Sequence, residues 1–485
     1  MKSDRYFLAG LTFFSVFIFC LSVLPRLLSY GMFFDGVTYA SISRNMAEGY
    51  GSFWRPYYTD IIYPVFFDHP PLGFFLQSLA FRAVGDSLSV EAFWGFGAGL
   101  LVLLFIWMIW RTGRQNVGTQ IGGWAPMLMF IALPMTSWLF ANNLLEVTMT
   151  VFTTAAALLA IYGLSTPTRP KAAILAFCSG TLILGAALVK GPVGLFPLVI
   201  PAVWFVTVDR KHFSRSAFVT ILMLLGVLVP FFLLMICEQG FLPFVKQYFS
   251  QQVVASVSGT REKGGSHFGI IIVVLREVVV PVLIGAVVWG IARVKWGARG
   301  PAFGRKFWFY LLVALCGSLP IMLSPKQLMW YGFPSFPFYA LAVAACFEKP
   351  FARLEEALTL TGKRLTIVWF VASLVLVGAI FWMIEEKGLV RKQADFHKDF
   401  SIQSVDLPER QVMSVYPAGL ERDWALVANM QRQFKASLSD SIGHEYLLTT
   451  VENQAYVDSL NTYQKIHPPI PVRYLLYILR DSASD

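Results

Sequence analysis

Long apolar runs separated by short polar loops dominate the chain. A helix needs about 20 mainly apolar residues to cross the bilayer core, and about eleven segments meet that requirement. The predicted spans are 7-28, 90-110, 119-140, 144-164, 172-188, 193-208, 217-236, 270-292, 307-323, 328-347 and 365-384. No small-residue cleavage site follows the first run, so we predict a retained anchor rather than a signal peptide. The pattern predicts an all-α polytopic membrane protein.

Three segments lack the pattern of a span. They are a long first outer loop at 31-89, a second outer loop at 237-269 and a mixed polar tail at 385-485. Within the tail, strand-like runs occur at 412-416, 446-450 and 474-479, with a helix-like stretch at 421-435. About 100 residues are enough for one small domain. We therefore predict a membrane domain over 1-384 and a small α/β domain over 385-485.

The composition agrees with a membrane protein. Of the 485 residues, 56% are hydrophobic and 14% are charged, whereas soluble domains carry about 25% charged residues. That balance excludes a disordered chain and a soluble enzyme. The five cysteines form no C-x-x-C pair, so neither a disulfide framework nor a thiolate zinc site is indicated.

The net charge of +10 is best explained by orientation in the membrane rather than by nucleic-acid binding. Basic residues alternate between loops, and one face collects Lys2, Arg5, Arg111, Arg114, Arg169, Lys171, Arg210, Lys211, Arg215, Arg293, Lys295, Arg299, Arg305, Lys306, Lys349, Arg353, Lys363 and Arg364. By the positive-inside rule this face is cytoplasmic. The N-terminus is then cytoplasmic, and the two long loops and the tail lie outside, on the opposite face of the membrane.

Acidic residues recur at the predicted outer face. Asp35 follows the first span and reads either as a first-turn helix acid or as a site acid. Asp68 and His69 precede a Pro-Pro turn, which suits a solvated cap or an acid–base pair for proton abstraction or metal binding. Glu146 lies one turn inside a span, where a buried acid faces a cavity or a structural partner.

Basic and aromatic residues recur at the same face. Lys190 and Lys326 read either as snorkelling lysines at helix ends or as cations for a phosphate. Arg261 and His267 lie in a glycine-containing stretch that is either a solvated loop or a lid over a site. Tyr331 reads either as an interface aromatic or as part of a site.

The coincidence of these residues on one face favours a site at the outer leaflet boundary. Acids there would position or activate an acceptor, and cations would hold a leaving phosphate. The cytoplasmic loops contain no glycine-rich phosphate-binding motif, so we expect no nucleotide cofactor. A substrate reached from outside must carry its own activation, and a lipid-phosphate-linked group meets that need.

Four motifs resemble those of GT-C membrane glycosyltransferases, in particular the protein O-mannosyltransferases and the bacterial aminoarabinose transferase that modifies lipid A. They are Phe34-Asp35 through Tyr39 to Arg44, Asp68-His69-Pro70-Pro71-Leu72, Ala187-Leu188-Val189-Lys190-Gly191-Pro192, and Ser324-Pro325-Lys326-Gln327 through Tyr331 and Pro334. The resemblance covers most of the chain, including the long first loop and the C-terminal domain.

The resemblance implies a catalytic role for Asp35, which would position or deprotonate the acceptor. The other acids assigned to the catalytic group are Asp68 and Glu146. The residues expected around the donor phosphate are Tyr39, Lys190, Arg261, Lys326 and Tyr331. Asp68 and His267 match an acid and a histidine that hold a divalent ion in the aminoarabinose transferase, and the neighbouring His69 is a further candidate ligand.

Three positions depart from the lipid A branch of the family. His69 stands where that branch has Lys, Phe66 where it has Tyr, and Glu146 where Asp is more usual. These differences leave the sugar and the acceptor open.

The sequence thus predicts an inverting glycosyltransferase of a bacterial inner membrane that uses a polyprenyl-phosphate sugar. A lipid A, another glycolipid or glycan, and a protein all remain candidate acceptors. The alternative is a transporter or flippase for a lipid-linked sugar. Such proteins usually place polar groups near the bilayer midplane within repeated halves, and no two-fold repeat is visible in the sequence.

Overall fold

The computed structural model describes residues 2–117, 121–255, 268–324, 326–359, 362–387, 395–400, 407–468 and 471–480. Helices dominate up to residue 386. They are α1 (Lys2–Leu27), α2 (Phe34–Ala47), α3 (Leu72–Val84), α4 (Ser89–Val117), α5 (Trp124–Ile131), α6 (Pro134–Phe140), α7 (Leu145–Ser165), α8 (Arg169–Lys190), α9 (Ile200–Thr207), α10 (Phe213–Cys237), α11 (Phe241–Tyr248), α12 (Gly269–Trp296), α13 (Arg305–Ser318), α14 (Phe336–Cys346), α15 (Glu348–Thr359) and α16 (Gly362–Glu386). This architecture confirms the predicted helical membrane class.

Seven helices of the described chain are long and apolar enough to cross a membrane. They are Leu8–Leu27, Ser89–Thr112, Leu145–Ser165, Arg169–Lys190, Phe213–Cys237, Gly269–Trp296 and Arg305–Leu323. Helix α16, with 25 residues, coincides with the last predicted span. The total of about eleven crossings stays a prediction.

Three further predicted spans, outside those seven, are not single α-helices in the structure. The segment 119-140 contains α5 and α6, 193-208 is a 3-10 helix (Pro192–Val199) followed by α9, and 328-347 is a short 3-10 turn (Phe333–Ser335) followed by α14. Each broken segment contains a proline at a helix start, where the missing N–H costs no hydrogen bond. A hydropathy window averages over such breaks, so the sequence pattern does not reveal them.

The long membrane helices pack closely around a buried centre. Every residue of α14 is buried, and α4, α5, α12 and α13 pack against it. Helices α8 and α10 cross at Gly180 and Gly226, where an added Cβ would lie 2.0 Å and 2.1 Å from backbone oxygens of the facing helix. Glycine is required at this crossing because the two backbones leave no space for a side chain.

The C-terminal part contains a five-stranded mixed sheet. Strands β1 (Gly51–Ser52) and β2 (Arg55–Pro56) form a separate small hairpin in the first outer loop. The elements of the C-terminal part are α17 (Asp395–Asp399), β3 (Val412–Tyr416), α18 (Trp424–Phe434), β4 (Ser437–Ser439), β5 (Tyr446–Thr450), α19 (Gln454–Ser459), β6 (Tyr463–His467) and β7 (Tyr474–Leu479). The strand order is β4-β3-β5-β7-β6. Strand β3 is parallel to β4 and β5, and β7 is antiparallel to β5 and β6.

The sequence prediction for the tail is confirmed in most of its elements. All three predicted strands match β3, β5 and β7, and the predicted helix contains α18. The prediction missed β4 and β6. Strand β4 has only three residues, and β6 alternates in burial with charged and polar side chains, so neither forms an apolar run.

Candidate functional site

The N-terminal end of α2 is fixed by the segment that precedes α7. The backbone N–H of Phe33 donates to Asn142 Oδ1 at 2.7 Å, and Asn143 Nδ2 donates to the Gly36 carbonyl oxygen at 2.9 Å. A Cβ at Gly36 would lie 1.9 Å from the Asn142 carbonyl oxygen, so only glycine fits this approach. The contacts place Asp35, in the first turn of α2, beside the start of the helix that carries Glu146.

One turn further along α2, Tyr39 reaches the segment before α3. Its hydroxyl lies 3.0 Å from His69 Nε2, and the two rings meet edge to face at 5.5 Å between centroids. Burial, followed by the negative charge of the nearby Asp35, raises the pKa of Tyr39 well above its usual value. Tyr39 therefore stays a neutral hydroxyl within the site.

Lys190 and Glu146 form a buried ion pair. Lys190 Nζ lies 2.6 Å from Glu146 Oε1, and the lysine and glutamate side chains are 10% and 1% exposed. The ammonium also lies 5.5 Å from the centre of the Tyr331 ring and 5.9 Å from that of Tyr39. Lys190 ends α8, where Gly191 turns the chain with φ 94°, so its side chain extends from a helix terminus into the cluster.

The pKa of Asp35, at the start of α2, depends on the charges of this cluster. Burial raises the pKa of Asp35 to about 6, the positive charges of Lys190 and Lys326 oppose that rise, and the negative charges of Glu146 and Asp68 add to it. Three acids and two cations therefore share one electrostatic neighbourhood. A carboxyl with a pKa near neutrality is suited to accepting a proton.

A cavity of about 540 Å³ opens beside the ion pair. Its polar lining comprises Asp68, His69, Glu146, Lys190, Tyr248, Gln252, Ser324, Lys326 and Tyr331. Its apolar lining comes from α7, the 3-10 segment Pro192–Val199 and the stretch from Cys316 to Leu323. The cavity is therefore amphipathic, with cations at its polar part and a hydrocarbon wall beside them.

The second outer loop contributes to the same cavity. Gln252 lies in a short π-helical turn (Phe249–Val254), and its side-chain amide donates to Asp68 Oδ1. The Tyr248 hydroxyl lies directly against Gly191, where a Cβ would approach it to 2.1 Å. Tyr248 and Gln252 were not predicted as site residues because a lone amide or tyrosine in a loop carries no sequence signal.

Most of the predicted site residues come together in this region. The structure groups Asp35, Tyr39, Asp68, His69, Glu146, Lys190, Lys326 and Tyr331 through the contacts, charges and cavity lining given above. Arg261 and His267 lie outside the described residues. The apolar half of the cavity was not predicted, because its residues read only as parts of membrane spans.

The predicted metal site remains a prediction. Asp68 and His69 both line the cavity, and the third candidate ligand, His267, is not among the described residues. Within the described ranges, no group of three or more His, Cys, Asp or Glu side chains is placed to hold a metal ion. Asp68 and His69 by themselves provide an incomplete ligand set.

Comparison with known proteins identifies the fold. No protein-family model matches the chain, and a search of curated proteins finds no match. Among solved structures, the chain is similar to ArnT from Cupriavidus metallidurans bound to undecaprenyl phosphate, with a TM-score of 0.64 and 17% identity over 99% of this chain and 98% of that one. The apo structure of the same ArnT gives a TM-score of 0.61 and 16% identity, with 97% of each chain covered.

The resemblance predicted from the sequence motifs is thus confirmed at the level of the fold. The ArnT fold extends over nearly the whole of both chains. The helical membrane part and the C-terminal sheet are both included in this coverage.

Proposed function

We propose that the chain is an integral-membrane glycosyltransferase that moves a sugar from a polyprenyl-phosphate donor to an acceptor at the periplasmic face of a bacterial inner membrane. One observation carries the proposal. The Lys190 ammonium, 10% exposed and paired with Glu146, lies 5.9 Å and 5.5 Å from the ring centres of Tyr39 and Tyr331, at the polar part of a cavity whose remaining wall is apolar. A lipid phosphate has the matching chemistry, because its anion needs a cation and its isoprenoid chain needs an apolar surface.

The donor half of the site consists of cations and hydroxyls. Lys190 and Lys326 bind the phosphate, and the Tyr331 hydroxyl donates a hydrogen bond to its oxygens. Tyr39, whose hydroxyl contacts His69, flanks this group with its ring 5.9 Å from Lys190 Nζ. These groups stabilise the negative charge that builds up on the phosphate as its bond to the sugar breaks. Arg261, in the second outer loop, is a further predicted phosphate ligand. The ArnT structure with bound undecaprenyl phosphate supports this class of donor.

The acceptor half contains the acids. The acceptor's nucleophilic atom attacks the anomeric carbon from the face opposite the phosphate, and Asp35 takes the proton that this atom loses. The new bond to the acceptor forms as the carbon–oxygen bond to the phosphate breaks, and that electron pair leaves on polyprenyl phosphate. A single displacement inverts the anomeric configuration. Asp68 and Glu146 position the reacting groups and the cations around them.

A divalent ion is a further element of the proposal. Asp68, His69 and His267 would hold it, and such an ion would add positive charge near the leaving phosphate. No nucleotide enters the reaction. In the proposed topology the N-terminus lies in the cytoplasm. The membrane domain comprises residues 1-384, and the C-terminal domain, residues 385-485, lies in the periplasm.

The direct test follows the fate of the donor. Purified protein is incubated with a radiolabelled polyprenyl-phosphate sugar and bacterial envelope extract, and free polyprenyl phosphate is measured. We expect release by the wild type and loss of release, by at least about 100-fold, in Asp35→Asn, because the amide accepts no proton. Movement of intact donor across vesicles, without release, would support the flippase alternative instead.

Asp440→Asn is the matched control, since the same change is made at an exposed position of the C-terminal domain. It should release polyprenyl phosphate at the wild-type rate. Full activity of Asp35→Asn would remove Asp35 from the mechanism. Mass spectrometry of surface lipids and glycoproteins from cells with and without the gene would then identify the sugar and the acceptor.

A further inference from the structure

The two halves of the site are built from different parts of the molecule. The described residues that line the cavity come from the segment before α3, from α7 and α8, from the 3-10 segment Pro192–Val199, from the second outer loop and from the stretch between Cys316 and Tyr331. None of these lining residues belongs to α2. Yet α2 carries Asp35 and Tyr39. The placement of the proposed acceptor acid thus depends on what holds α2.

The C-terminal end of α2 is held by the C-terminal domain. Arg44 is 1% exposed, and its guanidinium donates to the carbonyl oxygens of Arg432 at 2.8 Å and Gln431 at 3.0 Å. Both acceptors lie in α18. Hydrogen bonds from a charged donor are among the stronger ones in proteins, and a buried guanidinium without them would be costly.

The same part of α18 also reaches the middle of α2 through the first outer loop. The side-chain amide of Gln431 donates to the Tyr58 carbonyl oxygen, which also accepts a hydrogen bond from Asn45 at 3.0 Å. The hydroxyl of Tyr58 lies 3.3 Å from Thr38 Oγ1, one turn after Asp35. Gln431 is fully buried, so this connection is shielded from water.

Arg432 fixes α18 to the membrane part. Its guanidinium donates to both oxygens of Glu91, at 2.8 Å and 3.2 Å, and to Asp86 at 2.6 Å. Glu91 lies in the first turn of α4, and the Arg432 side chain is only 5% exposed. The planar fork of an arginine suits this two-point contact, which sets direction as well as distance.

We infer that Gln431 and Arg432 are positioning residues that set the placement of α2, and through it the placement of Asp35. The inference rests on the proposed function and deepens it. The donor phosphate site is assembled within the membrane domain. Helix α2 is fixed at its N-terminal end by Asn142 and Asn143, and its C-terminal end is held by the C-terminal domain. Loss of the α18 contacts should therefore impair transfer without impairing binding of the donor phosphate.

The expected size of the effect follows from the geometry. Helix α2 has 14 residues, and helices of that length are marginal in water unless tertiary contacts hold them. A misplacement of about 1 Å at a reacting group can reduce the rate by about 100-fold. Lys190, Glu146 and Tyr331 are carried by other segments, so their arrangement should persist.

The test compares Arg432→Ala with Arg422→Ala. Arg422 lies in the same domain, and its side chain is 86% exposed, which makes it a matched control. Three quantities are measured on purified full-length protein: kcat for polyprenyl phosphate release, the Kd for undecaprenyl phosphate, and deuterium exchange of peptides covering α2 and α8. For Arg432→Ala we expect a kcat lower by about 30- to 100-fold, a Kd within about twofold of wild type, and faster exchange in α2 but not in α8.

Milder variants keep the test decisive if Arg432→Ala folds poorly. Gln431→Ala removes the side-chain hydrogen bond to the Tyr58 carbonyl oxygen and keeps the backbone carbonyl that binds Arg44. Arg432→Lys keeps the positive charge but loses the two-point contact of the guanidinium with Glu91. We expect Gln431→Ala to lower kcat by about tenfold, and Arg432→Lys to give a value between those of Arg432→Ala and wild type. Arg422→Ala should match the wild type in all three measurements.

Two results would overturn the inference. One is a wild-type kcat in both Gln431→Ala and Arg432→Ala with α2 still protected from exchange. The other is an equal loss of donor-phosphate binding and transfer, which would mean that the residues support the whole structure rather than α2. If the wild type itself releases no polyprenyl phosphate, the proposed function fails, while the exchange comparison still decides whether α18 holds α2.

Discussion

Two glutamates, Glu146 and Glu277, are fully buried in candidate membrane spans, and their surroundings differ. Glu146 forms an ion pair with Lys190 and lines the cavity. Glu277 in α12 accepts the backbone N–H of Met135 at 2.7 Å, at the start of the short helix α6. Its charged neighbour, Arg276, is 3.5 Å away, with a side chain that is 59% exposed.

The difference indicates how a candidate functional acid can be told from a structural one in a membrane protein. Both residues are buried, and both carry the free-energy cost of removing a carboxylate from water. Glu277 satisfies an N–H that the first turn of a helix leaves without a partner, which is a structural task. Glu146 holds a cation beside a cavity that other charged residues also face. The partner and the adjacent space, rather than burial, distinguish the two.

The largest expected effect is the difference in release rate between Glu146→Gln and Glu277→Gln. Glu146→Gln leaves Lys190 without its counter-charge, and we expect polyprenyl phosphate release to fall by at least about 100-fold. Glu277→Gln keeps an oxygen that accepts the Met135 N–H, so release should stay within about threefold of wild type. Initial release rates, normalised to folded protein, measure both. Equal losses in the two variants would erase the distinction.

A double variant separates the structural and functional parts of the ion pair. Removing one partner of a buried pair costs about 3–5 kcal/mol, whereas replacing both by apolar groups is often neutral. Glu146→Met should therefore lower the thermal unfolding midpoint, and Glu146→Met with Lys190→Met should recover most of that loss. Release of polyprenyl phosphate should stay absent in the double variant. Recovery of release would show that the pair has only a structural role.

The pH dependence of transfer also distinguishes Glu146 from Glu277, because only Glu146 is among the charges that shift the pKa of Asp35. Because the pKa of Asp35 is about 6, the proton-accepting carboxylate predominates above that pH and is lost below it. We expect the rate to fall about tenfold between pH 7 and pH 5. The charge of Glu146 contributes to the raised pKa, so the residual activity of Glu146→Gln should have a lower midpoint.

Glu277→Gln provides the control for this measurement, because Glu277 is absent from the charges that act on Asp35. Its pH profile should coincide with that of the wild type. A wild-type rate that does not change between pH 5 and pH 7 would contradict the assignment of Asp35 as the proton acceptor.

The site was predictable from the sequence where a residue is unusual for its surroundings. Asp35, Glu146 and Lys190 are charged residues at the ends of apolar runs, and such positions are costly without a partner. Tyr248 and Gln252 carried no such signal, since polar residues in a loop are ordinary. The helical breaks at Pro134, Pro201 and Pro337 were hidden because the surrounding segments are apolar on average.

The sequence by itself determined the membrane class, most helices, three strands of the tail and the set of charged residues from which the site is built. Hydropathy and periodicity are local properties, and they suffice for these features. The tertiary structure alone decided that Glu146 meets Lys190, that the cavity has an apolar wall, and that Arg44 binds carbonyl oxygens 387 and 388 positions later in the chain. Contacts over such separations depend on how the helices pack, because no local pattern in either segment specifies its distant partner.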